Sequence, residues 1–128
     1  MSLSEGQQLE LRVMPDPYVT VRYAGASGDF NPIHVDEEFA RSVGLPGRIL
    51  HGLWTMAQVA RAVTDAGGGP ESLRSLSVEF RGMARIGEEI VVGGAVESVA
   101  GGVATARLDA RQGDTRVIRR AIAELRQP

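Results

Sequence analysis

The chain has 128 residues, 43% of them hydrophobic and 23% charged, with a net charge of −2. This is the size and composition of a single folded domain over residues 1–128, and it excludes a disordered chain. Cysteine is absent, all 14 basic residues are arginine, and there are only two histidines, His34 and His51, which excludes disulfides, thiolate nucleophiles, lysine Schiff bases, a P-loop lysine and a three-histidine metal site.

The chain opens with a predicted strand over 8–14, where Leu9, Leu11 and Val13 alternate with polar residues and Pro15 and Pro17 close the run. Asp16 as N-cap and Pro17 at the first helical position predict a short helix over 16–24. Residues 25–34 have loop composition. A second short helix is expected over 36–43, capped by Asp36, with Glu37 and Glu38 as N-terminal charge and Gly44 as the stop. From 52 to 65 a longer helix is apolar nearly all round, through Leu53, Trp54, Met56, Ala57, Val59, Ala60 and Val63. Such a helix belongs inside, covered on most sides.

Gly67-Gly68-Gly69-Pro70 ends it as a helix stop and loop, lacking the spacing of a phosphate loop. The periodicity then changes to two. Strands are predicted over 74–81, 90–99, 103–111 and 115–125, with turns at Gly101-Gly102 and Gln112-Gly113-Asp114. Ala104, Ala106, Leu108 and Ala110 form a face of mostly small residues suited to packing over a helix, whereas the doublet Arg119-Arg120 is expected to straddle the two faces of its strand. Short turns favour antiparallel pairing. The expected fold class is α+β, a curved antiparallel sheet wrapped around one long central helix.

No apolar run approaches the ~18 residues of a membrane span, and the N-terminus lacks the basic start and apolar stretch of a secretory signal. A cytoplasmic location without membrane association is expected. The scattered arginines show no nucleic-acid footprint.

Chemistry-bearing residues concentrate in Asp29-Phe30-Asn31-Pro32-Ile33-His34, which holds the only asparagine and one of the two histidines. Asp and His are the usual acid–base pair, and a stretch bounded by Gly28 and Pro32 can aim both at one water. The same residues also suit a purely local role, with Asp29 and Asn31 making side-chain turns and His34 capping the next helix. Ser27 lacks the Gly-x-Ser-x-Gly setting of a nucleophile elbow and reads as a brace for the loop.

The run from Tyr23 to His34 followed by Ala40, together with Gly44-Leu45-Pro46-Gly47-Arg48-Ile49-Leu50-His51-Gly52-Leu53-Trp54-Thr55-Met56, resembles the signature of the hydratase-2 group of MaoC-like proteins. It is similar in particular to the catalytic B-type subunit of hydroxyacyl-carrier-protein dehydratases. The resemblance implies a hot-dog fold and (R)-specific hydration of trans-2-enoyl thioesters, or the reverse dehydration of (3R)-hydroxyacyl thioesters. It implies Asp29 and His34 as the catalytic pair that activates water, and the backbone N–H of Gly52 as the oxyanion donor. Asn31, Ser27 and Tyr23 are expected to support the site. Trp54 and His51 are expected near the substrate pocket, with Trp54 limiting a long acyl chain and His51 setting the helix entrance or meeting a neighbouring subunit.

The implied substrate carrier is coenzyme A or acyl carrier protein, with Arg48 and Arg85 as candidates for the carrier phosphates. No metal or other cofactor is expected. The implied assembly is a homodimer, with a heterodimer beside a sister hot-dog subunit as the alternative. Two other readings compete: a hot-dog thioesterase, and a non-catalytic thioester-binding or partner subunit. On the hydratase reading, Asp29→Asn and His34→Ala should each remove most turnover and leave folding and dimerisation nearly intact.

Overall fold

Residues 2–128 are described by a computed structural model. Strand β1 (Gln8–Val13) comes first, and a helical segment follows before the remaining strands. These are β2 (Leu73–Phe80), β3 (Ile90–Ala100), β4 (Val103–Gln112) and β5 (Thr115–Arg126). All pair antiparallel, in the order β1-β3-β4-β5-β2, so β1 and β2 are the edges. Gly101 and Gly102, with φ of 60° and 75°, make the β3–β4 turn, which needs left-handed backbone at both centres.

Helix α4 (Gly52–Gly67) lies on the concave side and touches all five strands. A sheet achieves that only by curving, which is the hot-dog arrangement. Ala104, Ala106, Ala110, Ala121 and Ala123 are fully buried under it, as are its own Val59 and Val63. Small residues on the sheet let the helix sit close. The helix is not covered on most sides, as its apolar circumference suggested. Leu53, Ala57, Arg61 and Asp65 are exposed and Trp54, Met56 and Ala60 are half-buried, because a single sheet layer covers only one side.

The segment between β1 and α4 departs from expectation in register. Helix α1 runs Val19–Ser27 rather than 16–24. Asp16 does not cap it: its carboxylate accepts the Tyr18 N–H at 2.7 Å and pairs with Arg22, so a turn over Pro17 and Tyr18 precedes the helix. At the other end Gly25, Ala26 and Ser27 stay helical until Gly28 (φ 79°) supplies the left-handed stop and returns its N–H to the Ala24 carbonyl. Pro32–Val35 then form a helical turn, α2, so His34 is not on a loop. α3 (Glu37–Ser42) is capped as read, with Asp36 accepting the Phe39 N–H at 3.0 Å.

Arg119 and Arg120 do not straddle the sheet. Both reach Glu79, at 2.8 and 3.4 Å. The register slips by one residue here against both β2 and β4, and Arg120 has φ 49°. The extra residue is a β-bulge, and strict alternation does not survive a bulge.

Candidate active site

Three side chains from three elements meet beside the start of α4. Asp29 sits in the four-residue link between α1 and α2, where the backbone is held by its own side chains. Ser27 Oγ accepts the Asp29 N–H at 3.1 Å and donates to the Tyr23 carbonyl at 2.8 Å. Asp29 Oδ1 accepts the Asn31 N–H at 3.2 Å, and Asn31 Oδ1 accepts the Ile33 N–H at 3.2 Å. The local turn chemistry of Asp29 and Asn31 is therefore present, and it aims the carboxylate rather than competing with that role. With Oδ1 committed to the Asn31 N–H, Oδ2 faces His34 Nε2 at 3.9 Å.

His34 does not cap the next helix. Its Nδ1 lies 2.9 Å from the Ile49 carbonyl oxygen. A carbonyl only accepts, so Nδ1 carries a hydrogen, and Nε2 is the ring nitrogen turned toward Asp29. The ring is buried, with 9% of its side chain exposed against 53% for Asp29. The pair thus joins one fixed, sheltered ring nitrogen to one accessible carboxylate. Their 3.9 Å separation is too long for a direct hydrogen bond and short enough for both to reach one water.

His51 lies directly over His34. The two rings stack with centroids 3.9 Å apart and planes 22° apart, and Tyr23 leans on the other side at 4.8 Å. His51 Nε2 is 3.0 Å from the Asp29 carbonyl oxygen, so it carries the hydrogen. Nδ1 is buried and has no partner among the described residues.

Asp29, His34 and His51 place one ligand atom each within 4.8 Å of one another. They do not suit a metal ion. Ring lone pairs lie in the ring planes, and two nearly parallel stacked rings cannot converge theirs on one tetrahedral centre.

Asp29, Tyr23, Ser27, His51 and Gly52 share a pocket of about 310 Å³ with Leu53 and Phe80. Gly52 is the first residue of α4, and neither its N–H nor that of Leu53 has an acceptor among the described residues. The N-cap residue His51 makes no capping bond. Gly52 and Leu53, both lining this pocket, thus carry unpaired donors at the positive end of a sixteen-residue helix. A Cβ at position 52 would come within 3.2 Å of the Phe80 ring, so a side chain there would displace the aromatic wall.

Trp54 does not line this pocket. It faces an adjoining groove of about 380 Å³ with Val19, Gln58 and Arg61, because the helical turn carries it away from Asp29; Tyr23 borders both hollows. Arg48 and Arg85 share a third hollow of about 400 Å³, yet Arg48 is tied to Glu37 at 3.3 Å and Arg85 to Glu88 at 2.6 Å. Sequence reasoning missed Phe80, Leu53 and the Ile49 carbonyl as parts of the site. Phe80 and Leu53 look like ordinary members of their apolar patterns, and a backbone acceptor carries no sequence signal.

The family described as MaoC like domain matches residues 4–117. A fatty acid synthase subunit beta of Aspergillus oryzae is 44% identical over 79 residues, covering 59% of this chain and 4% of that protein. The enoyl-CoA hydratase ChsH3 of Mycobacterium tuberculosis is 33% identical over 87 residues, covering 66% of this chain and 29% of that protein. The chain thus spans less than a third of the length of these relatives. In the crystal structure of the ChsH1–ChsH2 complex from Mycobacterium tuberculosis, one chain superposes with a TM-score of 0.87 at 26% identity, covering 98% of both chains. Among the described residues, no helix is long and apolar enough to cross a membrane.

Proposed function

This chain belongs to the MaoC-like domain family of hydratases and dehydratases, and we propose that it adds water to trans-2-enoyl thioesters with (R) stereochemistry, or runs the reverse dehydration. The observation that carries this reading is the 3.9 Å gap between Asp29 Oδ2 and His34 Nε2, beside a pocket lined by Asp29 and by Gly52, whose N–H has no acceptor among the described residues. The likeness to the enoyl-CoA hydratase of Mycobacterium tuberculosis supports the same chemistry.

A water held by Asp29 and His34 has both hydrogens directed to acceptors, leaving a lone pair for C3 of the enoyl group. The O–C3 bond forms as Asp29, acting as base, removes a proton. The C2=C3 electrons move onto the thioester oxygen, which the Gly52 N–H and the positive end of α4 stabilise. The enolate collapses as C2 takes a proton from the Asp29–His34 pair, so water is consumed and both residues return to their starting states. An oxyanion donor of this kind is worth on the order of 10²–10³ in rate. Asn31 and Ser27 hold the Asp29 turn, and Tyr23 packs against His51 at the pocket wall.

Residues 1–128 act as one hot-dog unit, with coenzyme A or acyl carrier protein as the carrier and no resident cofactor. Phe80, the last residue of edge strand β2, and Leu53 at the start of α4 are both exposed, and the free side of β2 can extend the sheet into a second subunit. A homodimer follows, and the ChsH1–ChsH2 structure gives a precedent for pairing with a different hot-dog chain.

The test is loss of enoyl absorbance on crotonyl-coenzyme A and on the crotonyl carrier protein, with the product's chirality determined. Formation of the (3R)-hydroxyacyl product supports the reading. An (S) product, or thioester cleavage without hydration, refutes it. Silence on both carriers across chain lengths points to a partner subunit.

A further inference from the structure

We infer that His51 is a positioning residue that holds the Asp29 backbone and the His34 ring in register with each other. The inference rests on the hydratase reading for its effect on rate, and on geometry alone for its effect on the loop.

His51 occupies the N-cap of α4 and makes no capping bond there. That position normally takes Ser, Thr, Asp or Asn, whose side chain folds back onto the helix N–H groups. Here the side chain turns away from the helix and touches both halves of the catalytic pair. Nε2–H donates to the Asp29 carbonyl at 3.0 Å, and the ring face lies 3.9 Å from that of His34. The other ring nitrogen is left buried without a partner, a cost that a helix-entrance residue chosen for packing would not incur.

The tether matters because the other hydrogen bonds of residues 28–31 are local, reaching no farther than Tyr23 on one side and His34 on the other, and the nearest backbone anchor to the body of the protein is the Ile49 N–H on the Ile33 carbonyl at 3.1 Å. The local bonds shape the turn without placing it on the body of the protein. His34 is placed independently, by Ile49. His51 is the side chain that bonds to one partner and packs on the other. Because His51 leaves the helix start uncapped, the Gly52 and Leu53 N–H groups also stay free.

The stack and the hydrogen bond are separable. His51→Phe keeps an aromatic plane over His34 and removes the donor. His51→Gln keeps a donor at the reach of Nε2 and removes the ring. Assayed on crotonyl-coenzyme A, His51→Phe should lose between about 10- and 100-fold in kcat with KM within about threefold, since a slight misplacement of a reacting group costs rates of that order. His51→Gln should recover kcat to within about threefold of wild type. Amide hydrogen exchange at Asn31 and Ile33 should accelerate in His51→Phe and stay unchanged in His51→Gln. His51→Leu, which lacks both features, supplies the same comparison if the phenylalanine variant does not fold.

Equal kcat in wild type and His51→Phe overturns the inference, as does a loss that His51→Gln fails to restore. Inactivity of the wild type overturns only the hydratase reading, because the exchange comparison still decides whether His51 holds the turn: unchanged exchange in His51→Phe refutes it.

Discussion

Asp29→Asn and His34→Ala should separate in stability while agreeing in activity. Asparagine at 29 keeps an acceptor for the Asn31 N–H, now at 3.2 Å, and replaces Oδ2 with an amide that only donates. The side chain is 53% exposed and makes no other contact that the amide would lose, so stability should change by no more than about 0.5 kcal/mol. Loss of a base typically lowers kcat by about 10²–10⁴, or roughly 3–5 kcal/mol of transition-state stabilisation. Alanine at 34 removes a buried ring, its 2.9 Å bond to the Ile49 carbonyl and its stack on His51. An orphaned buried acceptor plus a small cavity costs about 2–4 kcal/mol. His34→Ala should therefore destabilise the fold, while Asp29→Asn should leave it nearly intact. Turnover of crotonyl-coenzyme A and urea unfolding, measured on both proteins, decide the matter. Retention of more than about a tenth of wild-type kcat by Asp29→Asn refutes its role as base. Equal urea midpoints for the two variants refute the structural account of His34.

Gln112 is fully buried and holds the segment before β3, donating to the Arg85 and Glu88 carbonyls at 2.7 and 2.8 Å and accepting the Arg85 N–H at 2.8 Å. Gln112→Leu orphans these groups and should destabilise by about 3 kcal/mol or more; a wild-type urea midpoint would contradict this. A Cβ at Gly94 would land on the Arg107 carbonyl oxygen and 2.7 Å from the Leu108 Cα, so Gly94→Ala should abolish soluble folded protein, and normal expression with an unchanged melting temperature would show that the β3–β4 approach is looser. The Arg119 hydrogen bond, followed by the charge of Arg120, holds the Glu79 carboxyl below the ordinary glutamate range. A carboxyl depressed in the folded state contributes stability above its unfolded pKa, about 4.3, and loses it as pH falls through the lower folded value. Melting temperature should therefore fall less steeply below about pH 4.3 in Glu79→Gln than in wild type; parallel curves would remove Glu79 from the acid response.

Much of the architecture was legible because it follows from short-range rules. Period-two runs punctuated by Gly101-Gly102 and Gly113-Asp114 define β3, β4 and β5 to within about two residues. The small-residue face of β4 announces that a helix lies on it, and Asp36 caps α3 where its spacing said it would. Asp29 and His34 stand five positions apart, so a short stretch with its own turn chemistry brings them together. The features that escaped depend on what lies across space. Asp16 looked like a helix cap, and Arg22 with the Pro17 turn claimed it instead. Arg119 and Arg120 looked opposed, and a bulge turned both to Glu79.

From the sequence alone come the sheet-and-helix class and the absence of thiol and lysine chemistry, because composition, periodicity and local turn preferences are written residue by residue; Asp29 and His34 as a candidate acid–base pair come from the resemblance to MaoC-like proteins. Only the tertiary structure decides which ring nitrogen of His34 faces Asp29, which wall Phe80 forms, and what His51 does. Each depends on a backbone carbonyl or ring face that lies 15 or more residues away in the chain and reaches the site only when α4 settles against the sheet.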